Sequence, residues 1–161
     1  MTATTFRPSD FVLTGNDDFA RVDGLCRELL LTFYQDLVAG GMPEAQATPL
    51  ASSADYFVRD FLVDNRQVSP FMITPPLIRQ FAATWYIINT VEPNLPELLA
   101  HLAGILAFCR YLRDDGYLST AEFAAVEREC ADTGHLATRI ESFWDLPPDG
   151  YPAWEAEFTL K

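Results

Sequence analysis

The sequence predicts an all-α fold, a bundle of about five helices, and three observations carry that prediction. Apolar residues recur at spacings of three and four through most of the chain, which places them on single helix faces. Three helix starts are written locally, at Thr48-Pro49, at Thr74-Pro75 and at Ser119 to Glu122. Strand-like alternation is confined to one short stretch, Ala153 to Leu160. The chain has 161 residues, 49% of them hydrophobic, enough for one ordinary domain with a real core. It divides into an irregular arm over 1–15, a helical body over 16–145 and an irregular aromatic tail over 146–161.

The arm shows no helical period, and its apolar residues Phe6, Phe11, Val12 and Leu13 are suited to folding back on the body. A first helix runs from about Asp17 to Ala39, with Phe19, Val22, Cys26, Leu29, Phe33 and Leu37 on one face. Asn16 is its expected N-cap, Asp17 and Asp18 suit the positive end of its dipole, and Gly40-Gly41 stops it. Gly24, mid-helix, costs about 1 kcal/mol relative to alanine, so a close helix contact is expected there.

A second helix opens at Thr48-Pro49 and fades near Asn65, with Leu50, Ala54, Phe57 and Phe61 as its stripe. A third starts at Thr74-Pro75 and carries Ile78, Phe81, Ala82, Trp85 and Ile88. Pro93 and Pro96 bracket a sharp turn into the fourth, Pro96 to Asp114, the most apolar and therefore the central one. Gly104 in it invites a close neighbour. Gly116 ends it, and Ser119 to Glu122 forms a capping box with Leu118 and Phe123 at the staple positions. The fifth helix heads for Trp144, with Gly134 as a kink or interruption.

Charge narrows the partners. The formal net charge is -12, and ten of the eleven basic residues are arginine, the lone lysine being Lys161. Such a field disfavours nucleic acid and anionic lipid surfaces. Residues 1–15 lack a signal-peptide pattern, and the most apolar stretch, Leu98 to Leu112, is interrupted by His101 and Arg110. Three widely spaced cysteines, Cys26, Cys109 and Cys130, fit reduced thiols and a cytoplasmic setting better than a disulfide framework.

Metal, thiol and phosphate-loop chemistries each lack a required residue set. No Glu-x-x-His pair occurs, and Glu97 and His101 stand four apart instead. The cysteines sit on apolar stripes, where thiols behave as small hydrophobes. Gly40-Gly41 is followed by Met-Pro, not by a lysine-bearing helix start. No cofactor and no catalytic residue is expected.

Two functional readings follow. The first is a non-catalytic protein-interaction or regulatory module, self-association included, using Tyr151, Trp154 and Phe158 of the tail as contact residues. The second is a small-ligand-binding protein or enzyme with an interhelical arginine–aromatic pocket built from Arg59, Arg79, Trp85, Tyr86 and His101. Arginine beside aromatics can hold a carboxylate, a phosphate or a ring.

Overall fold

The computed structural model describes residues 5–158, and among them the chain is helical with no strand. Seven helices are present rather than about five. α1 spans Phe19–Ala39. α2 is Glu44–Asp55 and continues directly into a π-helical stretch, Tyr56–Asn65. α3 joins Pro75–Gln80, a π-helical Phe81–Trp85 and Tyr86–Ile88. α4 is Leu95–Asp114, α5 Thr120–Ala131, α6 Leu136–Trp144 and α7 Tyr151–Ala156.

The extra helices have physical causes. The segment read as one fifth helix breaks after Ala131, where Asp132 leaves the helical region at φ -82 and ψ 77. Restarting at Leu136 lets α6 turn back and insert Arg139 beside α3. The tail is not irregular throughout. Pro152 stands in the first turn of α7, where its missing N–H costs nothing, and Trp154 drops into the core at 3% exposure. The strand alternative fails over Ala153 to Ala156, which are helical, while residues 159–161 lie outside the described part.

Two starts also move. The second helix begins at Glu44, four residues before Thr48, so Pro49 sits inside it. Ala45 is exposed, and water can take the carbonyl that Pro49 leaves without a donor. The cap of α1 falls to Asp18 rather than Asn16, and Asp18 makes no capping bond. Its carboxylate instead accepts from the Thr14 backbone N–H and hydroxyl, at 2.9 and 2.6 Å, which holds its pKa down at about 2.

The central position of α4 is as expected. Leu98, Ile105, Phe108 and Cys109 on it are fully buried, and it packs on α2, α5 and α6. Its length and composition alone would suffice to cross a membrane, contrary to the expectation from the interruptions, and 44% of that apolar window is buried inside the fold. Asn94 caps it by accepting from Glu97 N at 2.8 Å. The capping box at Ser119 and Glu122 is complete, both bonds at 3.0 Å. At Gly41, φ is 103, the left-handed geometry that ends α1.

The two interior glycines differ. A Cβ on Gly104 would stand 2.6 Å from Ser53 Cβ and 2.7 Å from the Leu50 carbonyl oxygen, so α2 and α4 touch through this glycine. A Cβ on Gly24 would meet nothing within 4 Å, so no close contact explains it.

One continuous hydrophobic cluster unites these parts. The arm folds onto it: Phe11 is 1% exposed and lies edge-on to Phe71 at 4.8 Å, whereas Val12 stays outside at 49%. Tyr117 fastens the arm, its hydroxyl donating to Phe6 O and accepting from Phe6 N, both at 2.8 Å. All three cysteines are free and buried, and burial pushes the thiols of Cys26 and Cys130 up to about 12.

Candidate functional site

The α2–α3 seam is built from rings. Where α2 widens into its π-helical stretch it presents Tyr56, Phe57 and Phe61. The π-helical part of α3 presents Phe81 and Trp85 against them. Phe57 meets Phe81 edge-on at 5.2 Å, Phe61 meets Trp85 at 5.4 Å, and Tyr56 lies 5.3 Å from Trp85. π-helical turns are rare and concentrate at functional sites, and two of them face each other here.

Of the five residues expected to form a pocket, the structure brings three together. Trp85 and His101 each flank Tyr56, and Tyr86 lies 5.5 Å from His101. Tyr86 is fully buried, its hydroxyl donating to Glu97 Oε1 at 2.8 Å and accepting from Asn94 N at 3.2 Å. Burial raises its pKa to about 12. The two arginines go elsewhere. Arg59 clamps α1 to α2, with Nε 2.9 Å from Asp23 and Nη1 3.1 Å from Asp55. Arg79 pairs with Glu129 of α5 at 2.6 Å, beside a recess of only ≈ 10 Å³, room for about one water.

His101 has the partners of a hydrolytic triad in order. Its Nδ1 is 2.9 Å from Ser53 Oγ, and its Nε2 is 4.0 Å from Glu97. The chemistry does not follow, because Ser53 is 6% exposed and wedged against Gly104. A substrate carbonyl has no approach to it. Burial lowers the His101 pKa against the opposing charge of Glu97, which favours the neutral ring.

The expected contact residues of the tail pack on their own chain. Trp154 donates from Nε1 to Ser142 Oγ at 3.0 Å, and the Arg139 guanidinium lies 3.5 Å over its ring. Phe158 stacks on His135 at 5.5 Å. Tyr151 is 36% exposed and donates its hydroxyl to Glu155 at 2.6 Å.

The seam ends in an open cleft of ≈ 240 Å³ between the end of α2, one face of α3 and α7. Gln80, Thr84 and Ile88 line it at successive four-residue steps along α3, with Trp85 beside them. Asn65 and Arg66 close the α2 side and Glu155 the α7 side. Gln67, just beyond, adopts a left-handed φ of 55, and Val68 N closes the turn on Leu62 O at 2.8 Å, which fixes where Arg66 leaves the helix.

Two buried polar atoms of this cleft have no hydrogen-bond partner, Arg66 Nε and Gln80 Oε1. Gln80 is only 3% exposed. The Arg66 guanidinium lies 5.3 Å over the Phe61 ring; burial lowers its pKa, and the charge of Glu155 opposes that shift. The back wall is rigid. Arg139 donates from Nε to Ala83 O at 2.6 Å and from Nη2 to Thr84 Oγ1 at 3.1 Å, although burial lowers its pKa to about 10. Leaving a buried donor or acceptor unpaired costs about 1–3 kcal/mol.

Reasoning from sequence missed Asn65, Gln80, Thr84, Ile88 and Glu155 as cleft residues. The available signal was the spacing of Gln80 and Thr84, two polar residues four apart on the otherwise apolar face of a buried helix. Among the described residues no three His, Cys, Asp or Glu side chains gather as a metal site. No protein-family model, curated protein or solved structure matches the chain.

Proposed function

We propose that the chain is a small-ligand-binding helical domain, with the ligand seated in the cleft between α2, α3 and α7. One observation carries the reading: Arg66 and Gln80, each holding a buried polar atom with no hydrogen-bond partner, are residues of the same open cleft. Such atoms are few in a folded protein, and a ligand at the cleft would give these two a partner. Trp85 supplies an aromatic wall, and Arg139 holds Thr84 and Ala83 in place behind it. Nothing in this arrangement calls for catalysis: the cleft presents no nucleophile beside a base.

The test needs no ligand in hand. Sites built for binding trade stability for function. Gln80→Leu and Arg66→Met each remove an unpaired polar atom at similar volume. Gln80→Leu is expected to leave the ligand-free protein equally stable or to stabilise it by about 1 kcal/mol, and Arg66→Met to stay within about 1 kcal/mol of the parent, its lost contact with the Phe61 ring offsetting the gain. Urea denaturation checks this. A loss of more than about 1 kcal/mol in both variants would mean that the two groups serve the fold, and the reading would fall.

Docking of a protein partner or a second copy is the other proposal, and Trp144 favours it. This residue ends α6 at 61% exposure, a large aromatic surface left in water. Light scattering at micromolar concentration, with Trp144→Ala alongside, tests self-association; a monomer in both samples counts against it.

A further inference from the structure

We infer that the cleft takes a neutral, planar heteroaromatic molecule that carries both an acceptor and a donor, of the size of a nucleobase or a pyridine carboxamide. This rests on the ligand-binding reading and gives it a chemical class.

Charge comes first. The lining contains one cation, Arg66, and one carboxylate, Glu155. Glu155 lines the same cleft and its charge acts on Arg66, which lowers the gain from an anionic ligand. The formal net charge of -12 penalises an anionic ligand further, and Arg66 penalises a cationic one. Neutrality is what both signs leave.

The hydrogen-bonding demand is specific. Arg66 Nε can only donate, so its partner must accept. Gln80 Oε1 can only accept, so its partner must donate. Nucleobases and carboxamides carry both groups. Asn65 and Thr84 add neutral polar groups to the same lining.

Shape agrees. Trp85 is partly exposed at the cleft, and its indole is fixed by Phe81 at 5.8 Å and 26°, by Tyr56 at 5.3 Å and by Phe61 at 5.4 Å. A fixed indole offers a flat surface for another ring. Ile88 adds an apolar side wall. A volume of ≈ 240 Å³ far exceeds the one-water recess at Arg79 and leaves space for a one- or two-ring molecule.

The experiment titrates the ¹⁵N-labelled full chain with nicotinamide, adenine and cytosine, and with nicotinate and adenosine monophosphate as charged counterparts. The readout is the indole N–H signal of Trp85, assigned by its loss in Trp85→Phe. The inference expects saturable shifts from at least one neutral probe, at least tenfold tighter than from its charged counterpart. It also expects at least tenfold weaker binding in Gln80→Leu and in Arg66→Met, both checked for folding by their remaining indole signals. Nicotinate or the monophosphate binding as tightly as its neutral counterpart, or tighter, overturns the class and leaves the cleft reading intact. Silence from every probe also overturns the class. The cleft reading falls with it only if the two variants lose stability as well.

Discussion

Adding one methyl group at Gly104 is the sharpest test of how this bundle is held together. Its Cβ would stand 2.7 Å from the Leu50 carbonyl oxygen and 2.6 Å from Ser53 Cβ, where ordinary contact begins at 3.4 Å. The shortfall at the carbonyl is 3.4 minus 2.7, that is 0.7 Å. A flexible side chain could swing away, but Leu50 O is backbone, so α2 and α4 must separate. Overpacking of this kind costs about 1–3 kcal/mol, and contact with backbone places it at the upper end. Alanine returns about 1 kcal/mol of helix propensity. The expected net loss for Gly104→Ala is therefore about 2 kcal/mol. Gly24→Ala is the internal control. Nothing lies within 4 Å of its Cβ, so only the propensity gain survives, about 1 kcal/mol in favour of folding. Urea denaturation of both variants, with unchanged slopes, measures the difference directly. In a chain of this length the expected loss also appears as a fall in Tm of about 4–8 °C. If Gly104→Ala is as stable as Gly24→Ala, the close approach of α2 and α4 is wrong.

Further predictions concern single groups. Arg139→Met leaves the Ala83 carbonyl without its donor and removes the cation over Trp154, so a loss of about 2–4 kcal/mol is expected, with faster proteolysis of residues 146–158. Ser119→Ala breaks the capping box and is expected to cost about 1 kcal/mol in thermal or urea unfolding. His101 titrates below its ordinary value in the fold, chiefly through burial. Its neutral form therefore stabilises fully above the unfolded pKa, about 6.5, and that contribution is lost as pH falls through the folded pKa. His101→Gln should flatten the part of the stability–pH curve just below pH 6.5, and an unchanged curve would refute the assignment. The buried thiols of Cys26, Cys109 and Cys130 should resist a disulfide reagent in native buffer and all react in denaturant.

Local chemistry made the stripe and glycine stop of α1, the extent of α4 and the start of α5 legible, because these signals act within a few residues. The capping box at Ser119 and the contact at Gly104 needed nothing beyond sequence. The start of α2 was hidden because proline reads as a first-turn residue, and only burial of Ala47 from the preceding turn draws the helix back to Glu44. The break between α5 and α6 depends on Arg139 finding Ala83, a contact 56 residues distant in sequence. The arginine–aromatic seam was readable as a region but not as a site. Arg59 and Arg79 look like ligand groups until their acidic partners on α1 and α5 are placed. Gln80 looks ordinary until burial of its side chain is seen.

The π-helical stretch Tyr56–Asn65 has a mechanical consequence. A wider turn holds one residue more than an α turn of the same length, so it stores slack along the helix axis. Returning that residue would shift everything downstream by about 1.5 Å and about 100°. Arg66 is the first residue past the stretch. The winding of α2 therefore sets both the height and the direction at which Arg66 reaches the cleft.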